Sequence, residues 1–186
     1  MELMALSLES LVCLDCLIDT LWLTIIAGEI ASNWPIHQFE KNVLVASAHI
    51  QSELNVPVII HPGRNTEAPF EVMRIFAEAG GKVAKTVMSH LDSESHLFAS
   101  ASILMNTLLN FMTGTLSVEE IVEFAATGTI CELDLFGNEV SYYELSAEFD
   151  MPNDANRIAQ LKALIDNGYA DQITISHDIH TKHRLV

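Results

Sequence analysis

Short, continuously apolar segments alternate along this chain with longer segments that have the 3.6-residue period of a helix. Strands that are apolar on both faces are typical of parallel sheets, because both faces of such sheets are covered. The alternation therefore predicts an α/β fold with a parallel sheet. Hydrophobic residues make up 49% of the 186 residues and charged residues 18%, which is enough apolar material for a core. The predicted strands are 23–30, 57–61, 86–90, 129–135 and 172–176.

Helices are predicted between these strands, at 38–54, 68–79, 118–126 and 154–167, and a further helix is predicted at 1–21. Apolar residues spaced by three and four indicate which helix face packs on the sheet. In the first two of these helices the expected inward residues are Phe39, Val43, Ala46, Ile50 and Leu54, then Phe70, Met73 and Ala77. Asn153 or Asp154 is expected to cap the last helix, and Gly168 to end it.

Chemically active side chains stand at the carboxyl ends of four of the five predicted strands. They are Glu29, His61, His90 and Asp178. The carboxyl ends of parallel strands meet at one edge of a sheet, where β/α barrels build their active sites. Two imidazoles and two carboxylates suit zinc or a similar divalent ion, so the pattern predicts a metal site. The plainer interpretation of each residue alone is a hydrogen-bonded loop histidine or a helix-capping acid.

Four segments carry distinctive motifs at or after predicted strand ends. They are Val-Ile-Ile-His-Pro-Gly-Arg (58–64), Lys-Thr-Val-Met-Ser-His-Leu-Asp (85–92), Leu-Asp-Leu-Phe-Gly (133–137) and His-Asp-Ile-His-Thr-Lys (177–182). Together these motifs resemble the phosphotriesterase-related proteins (parathion hydrolase-related), a branch of the amidohydrolase superfamily. The resemblance implies a (β/α)8 TIM barrel with two divalent metals, usually zinc. It also implies hydrolysis of phosphotriesters, lactones or small N-acyl amino compounds through a metal-bridging hydroxide.

The resemblance implies a role for each strand-end residue. Glu29 matches the residue that bridges the two metals. His61 and His90 match the ligands of one metal. Asp178 matches the carboxylate that binds the other metal and takes the proton from the bridging hydroxide, so it is the predicted catalytic residue.

Further polar residues have two interpretations each. Arg64, which follows the His61 motif, either forms an ion pair or binds an anionic group of the substrate. Asp134 either lines the pocket or caps the following loop. The run of His177, His180 and His183 is either loop sequence or an independent metal site.

The 186 residues resemble only strands four to eight of the family barrel, and they contain no His-x-His, the motif that holds the second metal in the family. We therefore expect a partial metal-dependent hydrolase barrel over 27–186, interrupted by an insert at 93–114. An apolar helical segment at 1–26 that does not resemble the family precedes it. We expect the truncated chain to bind one metal and to be weakly active. The alternative is a non-catalytic metal-binding remnant or a protein-interaction fragment.

Composition narrows the expected partners and compartment. Nine Lys and Arg residues against 25 Asp and Glu residues give a formal net charge of −16. This charge disfavours nucleic acids and anionic membranes, because both attract basic surfaces. Three cysteines, an odd number, indicate a reducing, cytoplasmic setting without a disulfide framework. We expect a catabolic enzyme with a small-molecule substrate, and self-association through the uncovered barrel edges.

Overall fold

The computed structural model describes residues 27–91, 116–138 and 152–179. Within these ranges five strands alternate with four α-helices. The strands are β1 (Ala27–Ala31), β2 (Val58–His61), β3 (Thr86–Met88), β4 (Ile130–Leu133) and β5 (Ile173–Ile175). The helices are α1 (Gln38–Leu54), α2 (Ala68–Glu78), α3 (Val118–Ala125) and α4 (Asp154–Asp166). Two 3-10 turns, Val83–Lys85 and Ala170–Gln172, lead into β3 and β5.

Some sequence predictions fall outside these ranges. The helical segment 1–26, the insert at 93–114, and His180 and His183 of the histidine run lie outside the described residues. None of the described helices combines the length and apolarity that crossing a bilayer would require.

All five strands pair in parallel, in the order β1-β2-β3-β4-β5. In the ladder Ile59 of β2 lies beside Val87 of β3, which lies beside Ile130 of β4. Chain order and sheet order are the same, so each connection returns over the sheet to start the next strand at the same edge. The predicted α/β class with five parallel strands is confirmed.

The core lies between the sheet and the helices. Alternate strand residues, such as Val58 and Ile60 in β2, are fully buried against the helices. The opposite face of the sheet, which we call the open face, is formed by Ile59, Val87 and Ile130 and is only half-buried. The continuous apolar strands predicted complete burial of both faces, and in the described residues one face is more exposed than expected. The helices contribute to the core Leu44, Ala48, Val72, Phe76, Ile121, Phe124 and Leu164.

The predicted inward stripe of α1 is wrong by about one residue. Phe39 and Leu54 are 77% and 46% exposed, whereas Leu44, Ala48 and Gln51 are the buried residues of the helix. One residue corresponds to a rotation of about 100° around the helix axis. The prediction was wrong because it placed only apolar residues on the inward face of the helix. The structure also buries the polar residue Gln51 completely on that face.

The α2 prediction is partly wrong, and the α4 boundaries are confirmed. Met73 is buried as expected, but Ala77 is exposed and Phe70 is half-buried, edge-on to the ring of Phe124 at 5.3 Å. The side chain of Asn153 caps α4 by accepting a hydrogen bond from the backbone N–H of Asn156 at 3.0 Å. Gly168 ends the helix at a φ of 89°, a conformation that glycine adopts without strain.

Gln51 is buried because its amide satisfies backbone groups of the connection before β3. Its Oε1 accepts a hydrogen bond from the Lys82 N–H at 2.6 Å. Its Nε2 lies 3.1 Å from the Lys85 carbonyl oxygen and 3.0 Å from the Thr86 hydroxyl. These contacts join α1 to the start of β3 across more than 30 residues of sequence.

Replacing Gln51 with leucine tests this role. Gln51→Leu keeps the side chain's bulk but leaves the amide of Lys82 and the carbonyl of Lys85 without their partner. An unpaired buried group costs about 1–3 kcal/mol, and these contacts are only partly buried, so we expect the free energy of unfolding to fall by about 1–2 kcal/mol. Urea denaturation followed by circular dichroism measures the change.

Gln38→Leu is the matched control for this experiment. Gln38 lies on the same helix, but it is exposed and its amide donates to Asn42 in solvent. We expect its free energy of unfolding to change by less than about 0.5 kcal/mol. Equal effects of the two substitutions would contradict a specific role for the buried amide.

Candidate metal centre

The carboxyl ends of the first three strands bring Glu29, His61 and His90 together. One ligand atom from each lies within 4.8 Å of the other two. Glu29 Oε1 is 3.5 Å from His61 Nδ1 and 3.5 Å from His90 Nε2. The two imidazole rings lie side by side, with centroids 4.2 Å apart and planes tilted by 55°. Three of the four strand-end residues therefore converge on one point.

A bulge in β1 positions Glu29. Ala27 pairs with Val58 and Glu29 with Ile59, so Gly28 is an extra residue with no partner on β2. A bulge re-aims the side chain that follows it, and here the carboxylate reaches the neighbouring strand ends. The Ser89 hydroxyl donates to Glu29 Oε1 at 2.9 Å and lies 3.2 Å from the carbonyl oxygen of Ile60.

His61 is the last residue of β2, and a tight loop crossing holds it. Its carbonyl accepts a hydrogen bond from the Ser32 N–H at 3.0 Å. Two residues later, a Cβ at Gly63 would lie 2.4 Å from the carbonyl carbon of Asn33 and 2.6 Å from the nitrogen of Trp34. Only glycine allows this approach, which explains the His-Pro-Gly order in the motif.

His90 follows β3 with a φ of 56°, a left-handed conformation that is uncommon outside glycine. Its Nδ1 lies 2.6 Å from Asp134 Oδ2, and its backbone N–H donates to the same oxygen at 2.9 Å. The Nε2 of the ring points towards Glu29. The side chain of Asp134 is only 2% exposed. Of the two sequence interpretations of Asp134, neither included this direct contact with His90.

Asp178 and Arg64 lie at the edge of this centre. Asp178 comes three residues after the end of β5, with a φ of 47°, and its charge acts on His90. It is not among the three residues whose ligand atoms converge. Arg64 is exposed, and its charge acts on His61.

The two histidines have opposite proton affinities. Burial lowers the pKa of His61, and the neighbouring His90 lowers it further, against a smaller upward effect of Glu29. Burial also acts to lower the pKa of His90. The hydrogen bond and charge of Asp134, with the charges of Glu29 and Asp178, outweigh burial and raise the pKa of His90 above its ordinary value.

Glu132 is a site residue that the sequence reasoning missed. Glu132 follows Cys131 in β4, and Cys131 pairs with Met88 of β3. Successive strand residues point to opposite faces, so Glu132 lies on the open face. Burial and the charge of Asp134 raise the pKa of Glu132. A hydrogen bond from Ser176 and the charge of His90 act in the opposite direction but are smaller. The available signal was a single carboxylate inside the otherwise apolar strand Ile-Cys-Glu-Leu.

The donor set of the centre fits a divalent metal ion. One carboxylate oxygen and two imidazole nitrogens are the ligand types that zinc and related ions bind. Three protein ligands also leave a coordination position open, as catalytic sites require. Glu29, His61 and His90 could therefore hold one ion together.

Comparisons with known proteins agree with this geometry. The Phosphotriesterase family matches the chain over residues 16–105 and 97–186. An N-acetyltaurine hydrolase of Danio rerio is 48% identical over 160 residues, covering 86% of this chain and 40% of that protein. A phosphotriesterase-related protein of Aedes aegypti is 45% identical over 158 residues, with 85% and 39% covered. The chain spans about 40% of the length of these curated relatives.

Solved structures share the fold. A phosphotriesterase homology protein from Escherichia coli superposes with a TM-score of 0.62 at 21% identity, covering 90% of this chain and 47% of that chain. A lactonase from Deinococcus radiodurans gives a TM-score of 0.59 at 24% identity, with 81% and 38% covered. The predicted fold class, part of a (β/α)8 TIM barrel, is confirmed.

The opposite shifts of the two histidines predict their order of titration without metal. We expect His90 to keep its ring proton to a higher pH than His61. Because the pKa of His90 is higher in the folded chain than in the unfolded chain, where it is about 6.5, protonation of His90 stabilises the fold. This stabilisation is fully present at a pH below the pKa in the unfolded chain, and it is lost as the pH rises through the pKa in the folded chain. NMR titration of the imidazole resonances, assigned with His61→Gln and His90→Gln, measures the order. Titration of His61 above His90 would contradict the geometry.

Proposed function

The chain belongs to the phosphotriesterase family, and from this premise we propose that it is a metal-dependent hydrolase acting on an ester or amide bond of a small substrate. The observation that carries the proposal is the convergence of Glu29, His61 and His90 at one end of the sheet. We propose zinc as the metal, because imidazole and carboxylate together are a common zinc ligand set.

In the proposed site each residue has a separate task. Glu29, His61 and His90 would hold the ion, His61 through Nδ1 and His90 through Nε2, the atoms that face Glu29. A bound divalent ion polarises the scissile bond and lowers the pKa of water. Asp178 would accept the proton released during hydrolysis, since its carboxylate stands close enough to act on His90.

The substrate we propose is a small N-acylated amine with an anionic group. The relatives at 44–48% identity include proteins named N-acetyltaurine hydrolase, and this name denotes cleavage of an amide bond. The anionic group is proposed because of Arg64, which is exposed beside His61. The planar guanidinium group of arginine binds carboxylates and sulfonates through two parallel hydrogen bonds.

A second candidate function is metal binding without catalysis. The observation that favours it is the lack of a His-x-His motif in the 186 residues. Without that motif, the resemblance leaves Asp178 and a share of Glu29, among the residues that the structure describes, as ligands for a second ion, and two ligands are too few to hold one. We therefore propose one zinc ion per chain and weak turnover.

The first test is the amount of zinc that the purified chain binds. We expect about one ion per chain by elemental analysis after dialysis. His61→Ala or His90→Ala should remove it, because each takes away one of three protein ligands. His49→Ala is the matched control, since His49 is exposed on α1 away from the centre, and it should keep the ion. Two ions per chain with rapid turnover would contradict the proposal.

The second test separates proton transfer from metal binding. Asp178→Asn should retain zinc but lower the rate of amide or ester hydrolysis by about 100-fold or more, the usual contribution of a general base. The assay compares N-acetyltaurine with an activated aryl ester at equal zinc occupancy. A normal rate in Asp178→Asn would exclude Asp178 as the proton acceptor. No turnover by the zinc-loaded wild-type chain would favour the second candidate function.

A further inference from the structure

We propose that Asp134 is the positioning residue of the metal centre, holding His90 as the tautomer with its proton on Nδ1 so that Nε2 is free to bind the ion. This inference rests on the proposed metal-dependent function. It deepens that function by assigning a task to a buried carboxylate that is not one of the three converging ligands. The assignment depends on which atoms of His90 face which partners.

The two ring nitrogens of His90 have different neighbours. Nδ1 lies 2.6 Å from Asp134 Oδ2, a carboxylate oxygen that can only accept a hydrogen bond in its ionised form. In neutral His90 the ring proton must therefore lie on Nδ1. Nε2, 3.5 Å from Glu29 Oε1, is left with its lone pair directed at the convergence point. A histidine ligand held in this way by a carboxylate has a fixed ring and a more basic ligand nitrogen.

Asp134 also holds the backbone of His90. The His90 N–H donates to the same Oδ2 at 2.9 Å, so one oxygen contacts both the main chain and the ring. A φ of 56° is unfavourable for a residue with a side chain, and this second hydrogen bond keeps His90 in it. The contact spans 44 residues, from the end of β4 to the end of β3. Because Asp134 is buried, its carboxylate has little freedom to move.

Ser89 offers a contrast within the same centre. Its hydroxyl donates to Glu29 and not to His90, so it supports the carboxylate ligand alone. Substitution of Ser89 should therefore weaken metal binding without moving the ring proton of His90. The two supports are separable by experiment.

The first measurement uses the metal-free wild-type chain. Nitrogen-15 NMR at alkaline pH, where His90 is neutral, should show a protonated Nδ1 and an unprotonated Nε2, with His90→Gln assigning the signals. Ser89→Ala should give the same His90 pattern. A proton on Nε2 in the wild-type chain would overturn the proposal without any reference to metal.

The second measurement is zinc affinity by competition with a chromophoric chelator. Asp134→Leu has nearly the same shape but no acceptor, and Asp134→Asn keeps an acceptor but loses the charge. We expect the dissociation constant for zinc to rise by about 10–100-fold in Asp134→Leu and by a smaller factor in Asp134→Asn. If Asp134→Leu does not fold, Asp134→Asn alone is compared. Asp171→Asn, an exposed substitution of the same type, should bind zinc as the wild type does.

The outcomes distinguish this inference from the function on which it rests. Wild-type affinity in the folded Asp134 variants would overturn the positioning role and leave the metal site intact. A wild-type chain that binds no zinc would overturn the proposed function, and the tautomer measurement would still decide the orientation of His90. Restoration of affinity in Asp134→Glu, beyond that of Asp134→Asn, would support a charged acceptor as the essential feature.

Discussion

Parallel pairing requires every connection in the sheet to cross back over it, and this constraint determines where the chemistry of the protein lies. Because all five strands run in one direction, their carboxyl ends share one edge. Glu29, His61 and His90 come from three strands in neighbouring positions, so no long loop is needed to bring them together. The helices that make the crossings also bury one face of the sheet and leave the other for the site.

The site concentrates carboxylates around two imidazoles. Asp134, Glu29 and Asp178 raise the pKa of His90, and the charge of His90 acts to lower the pKa of Glu132. Burial and the charge of Asp134 raise the pKa of Glu132, as expected where acids are grouped in a half-buried site. A divalent cation would offset the repulsion among these carboxylates. The charge distribution therefore supports the proposed metal site.

Strained backbone marks the same edge of the sheet. His90, Leu135 and Asp178 follow β3, β4 and β5, and each has a positive φ without being glycine. Such conformations cost of order 1–3 kcal/mol each and persist where surrounding contacts hold them. At His90 the holding contact is the hydrogen bond from its N–H to Asp134. Contacts of this kind would hold the proposed ligand atoms in place.

The sequence alone determined the order and type of the elements and the edge where the site lies. Apolar runs, helical periods, the Asn153 cap and the stop at Gly168 are local features, so local patterns were sufficient to predict them. Only the tertiary structure decided the rotation of α1 around buried Gln51 and the pairing of Ser89 with Glu29 and of Asp134 with His90. These contacts join residues 31 to 60 positions apart. Their geometry depends on strand register and side-chain direction, which no local period encodes.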